Sequence, residues 1–576
     1  MLKSATMPRT TSDPFTPFPL TFVPDGIDPS SKESLDPLFL DLEERVLRSA
    51  AELEKWLLDW SELQALLNEH ESKLSIDKDR RTDDKEREKR FLDFQATIAP
   101  FIKPRWQHLK KRYADSPFRA KLDKKRYEVF DRSVRNEIEI YREENVALET
   151  HDAELVVKYQ QLSGGMTVTF EGEERTLPKM ALFLEEQDAG LRERAWRAMT
   201  TRRLHDRHAI DGLYDHMVKL RDVMGRNAGF KNFRDYLFRV RGRFDYGPAE
   251  CEAFHDAVED LFVPLLRKIH ETRRRDLKIK MLRPWDLAVD PSGARPLRPF
   301  KDVTSLVQGV RDIYHKISPD LAKLLEAIRD RGHLDLDSRK AKSPGAYCAT
   351  LDVQRIPFIF QNAAGLQRDV MTLLHEAGHA LHAIFSRGEP LVFYRSAPLE
   401  YCEVASMGME AIGIKHIDVF YGKGDESERA RHEYFRQIVD IFPWIATIDS
   451  FQHWVYLHPK HTHAERDAAW LAARKRFKGG EDWSGFDAEH ASMWHKQMHP
   501  FCVPFYYIEY AFAQVGALQL WLNARKDRGA ALQAYRRGLA LGGSRPLPDL
   551  FKATGLKFGL DRKILKPLVR AVEKEL

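Results

Sequence analysis

The string His375-Glu376-Ala377-Gly378-His379 concentrates the chemistry of this 576-residue chain. On an α-helix, residues four apart sit one turn apart on one face, so both imidazoles can reach a single ion. Two imidazole nitrogens with a carboxylate between them in sequence suit a zinc that activates water, and Glu376 stands where it can move a proton without ligating. A catalytic zinc takes three protein ligands and keeps one position for water, so a third ligand is required. His382 fails, because seven residues of helix carry it about 10 Å along the axis from His375, while both nitrogens would need to lie about 2 Å from one ion. The extended pattern HExxHxxGxxH fails too, since His382 and Phe385 stand where it needs glycine and histidine. A carboxylate is therefore expected.

Downstream acids are Glu389, Glu400, Glu403 and Glu410, the last three on EYCEVASMGMEAIG, which reads as a second helix. Glu403 and Glu410 are seven apart and share a face, and the small Ala405, Ser406 and Gly408 between them let this helix approach the first closely. Glu403 fits as a ligand and Glu410 as a hydrogen-bonding support for a ligating histidine. By spacing alone, Glu403 is as readily an ordinary surface glutamate, and Glu400, near the helix start, fits less well.

These residues need elements to hold them. LQRDVMTLLHEAGHALHAIF repeats apolar and small residues at helical spacing, so the metal motif lies on a helix. Before it, AYCATLDVQRIPFIFQN is β-branched and aromatic, and Pro357 points to an edge strand of a small sheet. Through that edge, Phe358, Ile359, Phe360 and Gln361 could pair with an extended peptide. Farther back, residues 35–160 read as a long helical lobe whose charge runs are solvated faces. An irregular, proline-rich segment over 1–34 precedes it, and a catalytic region over 161–576 follows, with small β elements at 166–177 and 346–361. The first of these is a hairpin about Glu171 and Gly172.

Composition removes several classes. Hydrophobic residues at 43% and charged residues at 31% describe a folded globular chain. A net charge of +5 spread over the whole length gives no reason to expect nucleic acid. The four cysteines are far apart, which argues against a disulfide framework or a thiolate zinc cluster and for a reducing compartment, the cytoplasm. The first 34 residues lack a secretory apolar core, and the most apolar run, Tyr506 to Leu522, is interrupted by Glu509, Gln514 and Gln519, so no membrane span is expected.

The segments SPGAYCATLDVQRIPFIFQNAAG, HEAGHALHA, YCEVASMGME, FQHWVYLHPKHTHAER and MHPFCVPFYYIEYAFAQVGALQLW occur in that order, and with them the chain resembles the thimet oligopeptidase and oligoendopeptidase F family of zinc metallopeptidases, especially its bacterial oligoendopeptidase branch. The resemblance runs from roughly Met166 to Trp521. It implies a mainly α, large two-lobed helical peptidase fold that encloses a channel, with a small β-sheet beside the metal helix. It implies one Zn²⁺ per chain held by His375, His379 and Glu403, with Glu376 as general base and acid. It also implies that His499, Tyr507 and Tyr510 contact the substrate carbonyl, with Tyr506 adjacent. Tyr507 and Tyr510 are three apart, so a helix can turn both phenols to one point, although core packing is the commoner use of such pairs. The expected activity is internal cleavage of short peptides. A zinc exopeptidase and an inactive helical peptide-binding protein are the alternatives, against which stand the absence of a motif that grips a chain terminus and the presence of Glu376.

Overall fold

The computed structural model describes residues 15–576, so the first part of the irregular segment expected over 1–34 lies outside the described residues. From there to the first helix, Lys32–Glu44, the chain is irregular. Of the described residues 69% are helical, and five short strands among them form two small sheets. No helix among the described residues is long and apolar enough to cross a membrane.

The first sheet is the expected hairpin: β1 (Thr167–Phe170) pairs antiparallel with β2 (Glu173–Thr176). Glu171 and Gly172 turn it with φ of 51° and 80°, the left-handed pair that a two-residue hairpin loop requires.

The second sheet corrects an expectation. Its order is β3-β5-β4, with β3 (Leu334–Asp337) parallel and β4 (Tyr347–Leu351) antiparallel to β5 (Ile356–Ala363). The strand carrying Pro357, Phe358, Ile359 and Phe360 is therefore central, and its backbone is paired on both sides. Pro357 is tolerated because it pairs with Thr350 of β4 while β3 begins to pair only at Ile359, so its missing N–H falls where β3 has no partner to offer. The run Ile356–Gln361 is buried throughout, as a two-sided central strand should be. The sheet's edges are β3 and β4.

The described chain forms two compact units, each assembled from three stretches. The first takes the chain up to Ile138 with Leu297–Arg431 and Gly516–Phe558; the second takes Glu139–Pro296, His432–Val515 and Gly559–Leu576. In the first, helices Ala50–Arg80 and Lys85–Asp115 close on a core that includes Phe39, Trp56, Trp60 and Tyr113. Glu69, on the former helix, accepts from the backbone N–H groups of Val353 (2.7 Å) and Gln354 (2.9 Å), which pins the turn between β4 and β5. In the second, a smaller core joins Trp196, Trp285, Trp483 and Phe486.

Candidate metal centre

All the residues read from the sequence as metal-binding lie in the first unit. Helix Gln367–Ser386 follows β5 after Gly365, whose φ of 86° makes the turn. Asp369 in its first turn accepts from the N–H groups of Ala364 (2.7 Å) and Leu366 (2.9 Å), which fixes where the helix starts. Its apolar face, including Val370, Leu373, Leu374, Ala377 and Leu381, is buried. At Gly378 the second helix, Leu399–Gly413, comes so close that an added Cβ would lie 2.6 Å from Cα of Ser406 and 2.7 Å from the carbonyl oxygen of Ala405. The small residues noted in both strings are thus used at one crossing. Tyr314 donates to the carbonyl of Leu374 (3.1 Å) and Tyr535 to that of Ala405 (2.8 Å), which anchors each helix from behind.

The crossing brings three donors together. Nε2 of His375 is 3.2 Å from Nε2 of His379 and 3.2 Å from Oε2 of Glu403, and His379 Nε2 is 3.6 Å from the same oxygen. Four donors around zinc at about 2.0–2.1 Å stand about 3.3 Å apart, so the set fits one ion. Ser406 Oγ donates to Glu403 Oε2 (2.9 Å) and steadies it. Nδ1 of His375 lies 2.7 Å from Glu410 Oε1, an outer carboxylate of the kind that orients a ligating imidazole.

Electrostatics follow from burial and neighbours. Burial would lower the affinity of His375 for protons, but Glu403 and Glu410 on either side raise it well above the ordinary value. Burial takes His379 down to about 4. Burial would raise Glu403, yet the two histidines hold it down at about 2. The carboxylate is thus ionised between two imidazoles, the charge a dication needs. Glu376, 6% exposed, is pushed up to about 7 by burial, and its Oε2 has no hydrogen-bond partner. His382 is buried against the ring of Tyr401 and is not among the converging donors. Glu400 is also buried and outside the cluster.

These side chains open onto a cavity of about 820 Å³. Tyr347, Cys348 and Thr350 of β4 line it, so the edge strand beside the metal helix is β4. Phe358, Ile359 and Phe360 lie behind it, buried. The cavity wall also carries Arg355, Arg387 and Arg395, which no motif or spacing singled out. Burial and the other two arginines lower Arg355 to about 10.

His499, Tyr506, Tyr507 and Tyr510 belong to the second unit and gather there. The His499 ring is 4.4 Å from that of Tyr507 and 6.2 Å from that of Tyr510, and Tyr506 and Tyr510 are 5.1 Å apart. Gln497 Nε2 lies 2.7 Å from Nδ1 of His499. Burial and Arg241 take His499 down to about 4, a neutral imidazole at ordinary pH. Between His499 and Tyr506 the chain turns at Phe505, a non-glycine with φ of 59°. Gln452 accepts from its N–H (2.8 Å) and Arg243 donates to its carbonyl while also reaching Glu509 (2.8 Å). The supports Gln452, Gln497 and Arg243 were not visible in the sequence, because their partners are set by the fold.

The family model for peptidase family M3 matches residues 182–569. The chromosomal oligoendopeptidase F of Lactococcus lactis subsp. cremoris is 26% identical over 169 residues, covering 29% of this chain and 27% of its own length. The oligoendopeptidase F homolog of Borreliella burgdorferi is 22% identical over 392 residues, 65% of this chain and 63% of its own. The chain thus spans less than two thirds of the length of these curated relatives. The solved structure of PZ peptidase A with an inhibitor has a TM-score of 0.85 at 27% identity, covering 96% of this chain and 98% of that one.

Proposed function

The chain belongs to peptidase family M3, and from that membership we propose that it is a zinc-dependent oligoendopeptidase that hydrolyses internal bonds of short peptides. One observation carries the reading: the donors of His375, His379 and Glu403 converge beside Glu376, a buried carboxylate with an unpartnered oxygen. Those three residues would hold one zinc, which when bound supplies Lewis-acid polarisation and acidifies water. Glu376 takes the proton of the attacking water and hands it to the leaving amine, and the raised proton affinity that burial gives it suits both transfers. Glu410 keeps the His375 proton on Nδ1, which leaves Nε2 for the ion.

An extended peptide would add to β4, the cavity-lining edge. Recognition through main-chain hydrogen bonds makes little demand on side chains, which suits a broad peptide range. His499, Tyr507 and Tyr510 are the proposed donors to the scissile carbonyl oxygen as it gains charge. A reducing, cytoplasmic setting is supported by four cysteines that are all free.

The test is cleavage of an internally quenched short peptide, with product masses, by wild type and Glu376→Gln at matched zinc content. Internal cuts, lost by about a hundredfold or more in a variant that keeps its zinc, are expected. Trimming of termini alone would favour an exopeptidase. Zinc-loaded wild type that cuts nothing across a diverse peptide set would favour a binding protein.

A further inference from the structure

The second unit holds a buried cluster that the proposed peptidase chemistry does not use. Helix Pro248–Asp276 carries Cys251 and His255, four apart, and helix Asp425–Leu457 carries Asp449 and His453, also four apart, so each pair lies on one face of its helix. All four are buried, Cys251 and Asp449 completely. Ligand atoms of Cys251, Asp449 and His453 lie within 4.8 Å of one another. Nε2 of His453 faces Oδ2 of Asp449 at 3.2 Å, an ion-pair distance at an angle too poor for a hydrogen bond, and Oδ1 of Asp449 has no hydrogen-bond partner. A histidine nitrogen and a carboxylate oxygen are spaced identically at His375 and Glu403, and the separation matches that of donors sharing a tetrahedral ion, about 3.3 Å. Buried polar atoms seldom go without partners, and a free carboxylate oxygen beside a poorly aligned imidazole nitrogen and a thiol calls for one that all three can share.

We infer that Cys251, Asp449 and His453 form a second, structural metal site in this chain, for zinc or a similar thiolate-accepting divalent ion. The thiolate and the carboxylate bring two negative charges, which one dication neutralises in a setting where unbalanced charge is costly. Sγ, Nε2 and the Asp449 oxygens are the donors, and His255 Nε2, 2.9 Å from Oδ2, steadies the carboxylate from outside. As the sulfur–metal bond forms, the thiol proton leaves to solvent and the His453 proton resides on Nδ1. Arg234 Nη1 lies 3.4 Å from that Nδ1, so this tautomer requires Nη1 to turn away, while Arg234 Nε keeps its pairing with Asp235 at 3.0 Å. The ion would tie the two helices together. This adds to the single zinc expected from the resemblance, and its ligands leave no cysteine-pair signature in the sequence because they come from two distant helices.

The full chain, stripped with a chelator, reloaded with zinc and desalted, should carry two zinc ions by mass-spectrometric metal analysis. His375→Ala/His379→Ala should keep one, Cys251→Ser should keep one, and the combined variant none. Cobalt loaded into His375→Ala/His379→Ala should give a near-ultraviolet thiolate-to-cobalt charge-transfer band that Cys251→Ser abolishes. If Cys251→Ser does not fold, the cobalt spectrum of the variant with Cys251 intact decides. A single zinc that disappears with His375 and His379, or a cobalt spectrum without the thiolate band, overturns the site. A single ion that instead follows Cys251 supports this site and counts against the His375 centre.

Discussion

The helix pair that carries His375, His379 and Glu403 and the cluster of His499, Tyr506, Tyr507 and Tyr510 both gather side chains at a point, by different means. The donors of the first project from the middles of two helices that touch backbone to backbone at Gly378. The second cluster hangs on a turn at Phe505 whose left-handed backbone is tied down by Gln452 and Arg243. Ligand atoms must be placed to within tenths of an ångström of one another, and helices joined at the backbone give that precision. Phenols whose proposed role is only to donate a hydrogen bond tolerate a looser support. The proposed metal-binding region should therefore respond to changes in packing, and the aromatic region to changes in hydrogen-bonding groups.

That contrast is open to breakage, the largest effect coming from the phenols. Tyr507→Phe or Tyr510→Phe should cost about a hundredfold or more in kcat, the loss typical of one oxyanion donor, with zinc content unchanged on metal analysis. A variant that lost zinc along with activity would show the two regions to be one device. Glu410→Gln keeps the shape of the support but removes its charge, and zinc affinity measured by competition with a chelator should fall about ten- to a hundredfold. Gly378→Ala places a methyl group against the Ala405–Ser406 backbone and should lower stability by about 1–3 kcal/mol in thermal unfolding, with zinc affinity falling in parallel. Unchanged stability would mean that the crossing yields. The smallest effect lies in pH. Burial raises the Glu376 carboxyl from 4.5 to about 7, and a bound dication pulls it back down. As the proposed base, Glu376 works ionised, so kcat/KM should fall as pH drops through its pKa, with the acid limb between those two values. A limb below 4.5 would mean that water reaches the carboxylate freely.

The two regions also differ in how legible they were. His375, Glu376 and His379 follow from a four-residue spacing on a recognisable helix, and the hairpin about Glu171 and Gly172 from its turn residues. Glu403 did not follow from spacing, because whether a glutamate faces a metal or water depends on where two helices cross. Pro357 led to an edge strand, since proline usually means an edge, but one proline placed before the third strand begins to pair is compatible with the centre of a sheet. His499 and the tyrosines came from resemblance, and their supports Gln497, Gln452 and Arg243 from the fold alone. Cys251 and His453 sit on helices too distant in sequence for any local pattern to join them.

The contact at Gly378 also sets what mutation can repair. The atoms that a Cβ there would strike are the Cα of Ser406 and the carbonyl of Ala405, which every residue type carries. No exchange of side chain at 405 or 406 can make room. A genetic screen for suppressors of Gly378→Ala should therefore return true revertants, or changes that stabilise the chain elsewhere, and none at the two positions facing it.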